Sequence, residues 1–268
     1  MLKIASWNVN SLNVRLPQAL AWSAAAQPDV LALQETKLMD DRFPAAELQE
    51  AGYHSLFSGQ KTYNGVALLS RHVATDPVTD IPGLDDHQRR ILAATVGDVR
   101  IVNLYVVNGS EVGSEKFDYK LRWLQCVTDW LGSELRLHRN LVVLGDFNIA
   151  PDDRDVHDPA EWREKILCST PERQALGRIL ELGLQDTFRL FDQEPGVFSW
   201  WDYRMNMFRR KMGLRIDLLL ASESMAQRCT ASYVDLEPRR QERPSDHAPV
   251  IAEFDDQSIP RHGRIDLH

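Results

Sequence analysis

Only three cysteines, Cys126, Cys168 and Cys229, stand among the 268 residues. They are far apart, odd in number and without metal-ligand spacing, so neither a disulfide framework nor a structural zinc site is indicated. No apolar run reaches the ~18 residues that a membrane-spanning helix needs. The opening Met1-Leu2-Lys3-Ile4-Ala5-Ser6-Trp7-Asn8 reads as a strand rather than a signal peptide, and a reduced, cytoplasmic setting is expected. No Gly- or Ser-rich stretch divides the chain, so one catalytic-size domain is expected over residues 1–254, with residues 255–268 as a flexible tail. Positive charge is also in short supply: 31 Lys and Arg against 39 Asp and Glu give a net charge of −8. That argues against a uniformly basic surface coating nucleic acid, although arginines cluster locally at 89–90, 204–215 and 239–243. Gly-x-Ser-x-Gly, Cys-His and Walker-type sequences are missing, which disfavours covalent serine or thiol catalysis and nucleotide switching.

What is there is a succession of short β-rich apolar runs: 2–5, 30–33, 66–69, 91–96, 101–106, 141–144, 216–220 and 250–254. A helix is predicted over 117–137, where Leu121, Leu124, Val127, Leu131 and Leu135 recur every three or four residues and leave the charges on the other face. A second is predicted over 171–182, with Thr170 as N-cap, Pro171 in the first turn and Gly183 closing it. The order of strands and their terminal polar residues looks doubled, once in 1–97 and again in 100–254. It implies an α/β fold: two mixed β-sheets packed face to face and flanked by helices, a four-layer sandwich with the site where strand ends meet.

Several strands stop at polar residues, and such groups converge when strands share a sheet. Glu35 follows the buried run Val30-Leu31-Ala32-Leu33-Gln34, where a carboxylate needs a compensating cation. A hard divalent ion such as Mg²⁺ suits sparse strand-end acids better than zinc, while pairing with Lys37 is the simpler alternative. Gly145-Asp146-Phe147-Asn148 offers an acid that can orient or deprotonate water beside an amide donor, or else an Asx turn. Ser245-Asp246-His247 precedes the last run and Asp217 follows Arg215-Ile216. A His held by a carboxylate stays protonated and stabilises negative charge on a phosphate. Asn8, Tyr105 and Asn108 add neutral donors. Metal-assisted hydrolysis of a phosphate ester is the reaction class that uses this set.

Seven segments stand in order along the chain: Trp7-Asn8-Val9-Asn10, Leu33-Gln34-Glu35-Thr36-Lys37, Tyr63-Asn64-Gly65-Val66-Ala67-Leu68-Leu69-Ser70, Gln88-Arg89-Arg90-Ile91, Gly145-Asp146-Phe147-Asn148-Ile149, Gly213-Leu214-Arg215-Ile216-Asp217 and Pro244-Ser245-Asp246-His247-Ala248-Pro249. Together they resemble the exonuclease III family of apurinic/apyrimidinic endonucleases, within the endonuclease/exonuclease/phosphatase superfamily. The aromatic segment Phe198-Ser199-Trp200-Trp201-Asp202-Tyr203-Arg204 separates these DNA enzymes from the lipid and inositol phosphatases of the superfamily.

The resemblance implies a DNA-repair enzyme that cleaves duplex DNA 5′ to an abasic site and leaves a 3′ hydroxyl. Exonuclease action from the 3′ end and removal of 3′ blocking groups would share the site. By that likeness Glu35, helped by Asn10, holds Mg²⁺ or Mn²⁺, with Asp246 a second acid near the metal and Asp146, Asn148 and His247 bordering it. Asp146 and Asn148 activate water. His247, held by Asp217, stabilises the phosphate, which Asn8, Tyr105 and Asn148 also contact. Trp200, Leu214 and Ile216 would form an apolar pocket for the extrahelical sugar, where ordinary core is the competing reading. Lys37, Tyr63, Arg90, Asn108 and Arg204 would touch DNA. After Tyr105 the chain reads Val106-Val107-Asn108-Gly109-Ser110-Glu111, without the Pro and Arg of some relatives. A predominantly exonucleolytic enzyme, a non-catalytic DNA-binding scaffold and a small-molecule phosphatase are the rivals. A monomer is expected, associated with the nucleoid if bacterial.

Overall fold

The computed structural model describes residues 1–255. The first sheet has the order β11-β12-β1-β2-β4-β3. Its strands are β1 (Leu2–Asn8), β2 (Val30–Gln34), β3 (His54–Ser58), β4 (Val66–Ser70), β11 (Cys229–Val234) and β12 (Val250–Phe254). The second has the order β5-β6-β7-β8-β10-β9. It holds β5 (Thr75–Val78), β6 (Ile91–Val96), β7 (Val99–Tyr105), β8 (Leu141–Asp146), β9 (Gln185–Asp186) and β10 (Asp217–Ala221). Each sheet has one parallel pair, β1 with β2 and β7 with β8. A parallel pair needs a crossover, supplied by α1 (Leu12–Ala26) in the first and α3 (Glu115–Leu137) in the second. The shorter helices are α2 (Ala45–Glu50), α4 (Pro159–Trp162), α5 (Thr170–Leu180) and α6 (Glu223–Ala226).

The expected four layers are present. Strand side chains alternate between faces, so Ile4, Val30 and Ala32 point into the core between the sheets, with Ile101, Val142 and Leu144 opposite. Ala5, Trp7, Leu31 and Leu33 point the other way, against Leu12, Ala19, Trp22 and Leu48 of α1 and α2. On the far side Val102, Leu104 and Val143 meet Trp123, Leu124, Val127 and Leu131 of α3 and Leu176 and Ile179 of α5. Burial on both faces explains why the central strands read as unbroken apolar runs.

The halves of the chain do not each build one sheet. β5 and β6, from 75–96, lie in the second sheet, while β11 and β12 return to the first. The doubled order therefore describes the two parallel pairs and their crossover helices, not a division at residue 97.

Helix α3 begins two residues before the predicted start because Ser114 caps it, its Oγ accepting from Phe117 N at 3.1 Å. Helix α5 runs 170–180, and Ser169 rather than Thr170 precedes it, with Ser169 N and Oγ both donating to the Glu172 carboxylate. Asp255 N donates to Arg228 O at 2.8 Å, and the Arg228 guanidinium Nε donates to Asp255 O at 2.9 Å. The remainder of the expected tail, 256–268, lies outside the described residues.

Candidate active site

Both parallel pairs end at the same rim of the sandwich. In register, Asn8 stands beside Gln34, and Tyr105 beside Asp146. Asp217 pairs with Asp146 from the antiparallel neighbour. Past these ends the backbone turns through left-handed conformations at Asn10 (φ 43°), Glu35 (φ 51°) and Asn148 (φ 48°). Such φ values are uncommon outside glycine, and here they aim polar side chains back over the rim.

Asn8 is central and fully buried, its Nδ2 donating to Glu35 Oε1 and to Asp146 Oδ2, each at 2.9 Å. Glu35 Oε2 faces Lys37 Nζ at 2.9 Å. Burial opposes charge on Glu35, but Lys37 and the Asn8 amide outweigh it and hold the carboxyl below its usual range. Lys37 also donates to Asn10 Oδ1 at 2.6 Å, and Asn10 Nδ2 donates to Asp246 Oδ1 at 2.9 Å. The other Asp246 oxygen accepts from the Trp200 indole at 3.1 Å.

On the second sheet, Asp146 Oδ1 accepts from Asn148 N at 2.9 Å. Asn148 Nδ2 reaches Val106 O at 3.0 Å and Asp146 Oδ2 at 3.3 Å, while Asn108 Nδ2 donates to Asn148 Oδ1 at 3.1 Å. His247 Nδ1 lies 2.8 Å from Asp217 Oδ2, and its Nε2 is 3.8 Å from Asp146 Oδ2. Burial disfavours an imidazolium here, yet Asp217 and Asp146 overcome it and raise His247 well above the ordinary histidine value. Burial likewise raises Asp146, against the attraction of His247, with Asp217 and Glu35 pushing the same way as burial. Tyr105 is kept a neutral phenol by burial and by the nearby Glu35 and Asp146 carboxylates.

Glu35, Asp146 and His247 each offer a ligand atom, all within 4.8 Å of one another. Two carboxylates and neighbouring amide oxygens form an oxygen-rich donor set that fits a hard divalent cation, while His247, held above the ordinary histidine value, keeps its ring protonated beside them.

Asn8, Asn10, Glu35, Lys37, Tyr105, Asn108, Asp146, Asn148, Trp200, Asp217, Asp246 and His247 thus gather at one rim. Other expectations are met differently. Arg90 is 9% exposed, its guanidinium 4.7 Å from the Tyr105 ring centre and bonded to Gln88 Oε1 at 2.8 Å. It lies over the Tyr105 ring and donates to the Tyr105 carbonyl at 3.2 Å. Tyr63 is 67% exposed, and Arg204, also exposed, is paired with Asp202. Leu214 and Ile216 are 0% and 1% exposed, packed with Val156, Leu167 and Cys168 under Trp162 and Trp200. Those two tryptophans meet edge to face at 6.5 Å.

Three supports escaped the sequence reading. Ser199 Oγ donates to Asp217 Oδ2 at 2.6 Å and accepts from the backbone N–H groups of Ile216 and Asp217. Ser245 Oγ donates to Asn8 O at 2.7 Å and accepts from His247 N. Between the sheets, Asn103 donates to Leu33 O and Ala67 O and accepts from Gln34, which also donates to Ser6. The signal for the first two was present, because both serines sit inside motifs that carry site residues.

The chain belongs to the endonuclease/exonuclease/phosphatase family, which matches residues 5–247. Within that family it stands with the exonuclease III group. Exodeoxyribonuclease III of Haemophilus influenzae is 36% identical over 269 residues, covering 94% of this chain and all of that protein. Among solved structures, a Neisseria 3′ phosphatase bound to a product DNA hairpin is 54% identical with a TM-score of 0.94, over 95% of this chain and 100% of that one. An AP endonuclease from Archaeoglobus fulgidus is 36% identical with a TM-score of 0.92, covering 96% of this chain and 100% of its own.

Proposed function

We propose that this protein is a divalent-metal-dependent DNA-repair nuclease that hydrolyses the phosphodiester 5′ to an abasic site in duplex DNA, leaving a 3′ hydroxyl, and that removes nucleotides or blocking groups from 3′ ends in the same site. The observation that carries this reading is the convergence of Glu35, Asp146 and His247 within 4.8 Å at the rim where both sheets end. No serine or cysteine nucleophile is needed, because the set suits attack by water.

In this mechanism Glu35, with Asn10 and Asp246 beside it, would hold Mg²⁺ or Mn²⁺, which when bound would supply Lewis-acid stabilisation of negative charge. Asp146, oriented by Asn148 and Asn8, takes a proton from the attacking water as its oxygen bonds to phosphorus. The bond from phosphorus to O3′ breaks, and that oxygen gains a proton to become the 3′ hydroxyl. His247, protonated and fixed by Asp217, neutralises charge on the phosphoryl oxygens, and the Tyr105 phenol and Asn8 amide donate to them. Lys37, Tyr63, Asn108 and Arg204 lie along the surfaces that would meet the DNA strands. The enzyme acts as a monomer in the cytoplasm.

A second reading, predominant 3′-end processing, is favoured by the 54% identity to the Neisseria 3′ phosphatase bound to a product DNA hairpin. One experiment separates them: an end-labelled duplex with a single abasic analogue and an undamaged twin with a recessed 3′ end, each with Mg²⁺ or EDTA. A single Mg²⁺-dependent incision 5′ to the lesion supports the endonuclease. A ladder from the 3′ end without incision supports the second reading, and binding without cleavage in any divalent metal overturns both.

A further inference from the structure

Helix α3 carries a lysine that no step above uses. The Lys120 side chain is completely buried, as is Glu172 on α5, and the two form an ion pair. The same ammonium donates to the backbone carbonyls of Asn148 at 2.7 Å and Asn108 at 3.1 Å. A lysine has three N–H donors, and these three acceptors use all of them. Glu172 is equally occupied: one oxygen also accepts from Leu167 N, and the other accepts from Ser169 N and Oγ. The stem is enclosed too, since a Cβ built on Gly109 (φ +91°) would lie 3.1 Å from Lys120 Cδ.

The two carbonyls belong to the residues whose side chains join over the rim, Asn108 donating to Asn148 at 3.1 Å. Asn148 in turn presents its backbone N–H and its amide to Asp146. We propose that Lys120, with Glu172 as counter-ion, is a positioning residue that ties the loops after β7 and β8 from behind and so fixes Asn148 against Asp146. The inference rests on Asp146 and Asn148 being the water-activating pair. It assigns Lys120 no contact with DNA and no part in proton transfer.

The same helix supplies its own control. Arg100 at the start of β7 pairs with Glu134 near the other end of α3, Nε to Oε2 at 2.7 Å, and both are buried. That pair touches neither strand-end loop, so Arg100→Met should cost stability without touching the chemistry. The experiment measures kcat, KM and Tm on the recessed-end duplex for wild type, Lys120→Met, Lys120→Gln and Arg100→Met. The expected result is a Tm loss of similar size in Lys120→Met and Arg100→Met, with kcat falling about 10–100-fold only in Lys120→Met. KM should stay within about threefold, because the DNA-facing side chains remain. Lys120→Gln keeps an N–H donor at the site and should recover part of kcat. It also serves if the Met variant fails to fold.

A Lys120→Met enzyme with kcat within threefold of wild type would overturn the proposal, as would equal kcat losses in Lys120→Met and Arg100→Met, or no recovery in Lys120→Gln. A wild type that cleaves no DNA would overturn the nuclease reading first, and this inference with it. Active wild type with active Lys120→Met overturns this inference alone.

Discussion

The two sheets contribute unlike halves to one rim. On the first, Glu35 and Lys37 keep 19% and 28% of their side chains in contact with solvent, and they are joined by side chains from separate loops. On the second, Asp146 and Asp217, with His247 reaching across to them from the loop before β12 of the first sheet, are nearly inaccessible and locked through Asn148 and Ser199. The difference matches two chemical needs. A cation that exchanges with water requires an accessible carboxylate, because a hard ion keeps part of its hydration shell. A proton acceptor facing a protonated imidazole requires the opposite, since low dielectric strengthens their interaction and excludes competing water.

The largest effect should come from breaking the buried half. His247→Ala removes the cation from between two buried acids, and kcat should fall about 10³-fold by single-turnover cleavage. Removing one partner of a buried charge set also destabilises, here by about 3 kcal/mol in urea unfolding. Breaking the accessible half should look different: Glu35→Gln should lower cleavage on the order of 10²-fold at limiting Mg²⁺ and recover partly when Mg²⁺ is raised. A metal titration in which His247→Ala recovers as well as Glu35→Gln would erase the distinction between the halves.

The dry half should also show itself in pH. His247 is raised in the folded protein above its ordinary value of about 6.5. A raised folded value means that its stabilising contribution is fully present below pH ~6.5 and is lost as pH climbs through the folded value on the alkaline side. Thermal unfolding from pH 6 to 10 should therefore show a fall in Tm that His247→Ala greatly reduces. The smallest effect belongs to the periphery: Arg204, solvent-exposed and paired with Asp202, should on change to Ala raise KM about two- to threefold at low salt and leave kcat alone.

Legibility in the sequence followed the same division between apolar pattern and polar detail. β2, β4 and β8 are buried on both faces and announce themselves as unbroken runs, and the polar residues after β2 and β8 mark the rim, whereas Ser70 after the β4 run pairs with Val30 at the opposite end. Helix α1 went unread because Pro17 lies inside it and only Leu12, Ala19, Trp22 and Ser23 are buried along its length. Membership of β5 and β6 in the second sheet follows from local pairing, because β6 and β7 form a hairpin in which Val96 pairs with Val99 across Gly97-Asp98, and the expected division at residue 97 cut through that turn. The charges of α3 were expected on its outer face, yet Lys120 and Glu134 turn inward to partners 52 and 34 residues away in sequence. A hydrophobic period identifies the apolar stripe but cannot reveal that a charged neighbour has a buried counter-ion waiting on another element. The stacking of Arg90 on Tyr105 was hidden for the same reason, since the two are distant in sequence.

The strand order carries a consequence for how such an enzyme is born. β12, last in sequence, sits between β11 and β1, the first strand, and His247 enters the rim just three residues before it. On the ribosome, a growing chain displays Glu35 and Asp146 long before His247 emerges, and β1 waits for its antiparallel neighbour β12 until residue 254 has been made. Chains cut short before His247 lack both the final seam of the sheet and the imidazole that pairs with Asp217.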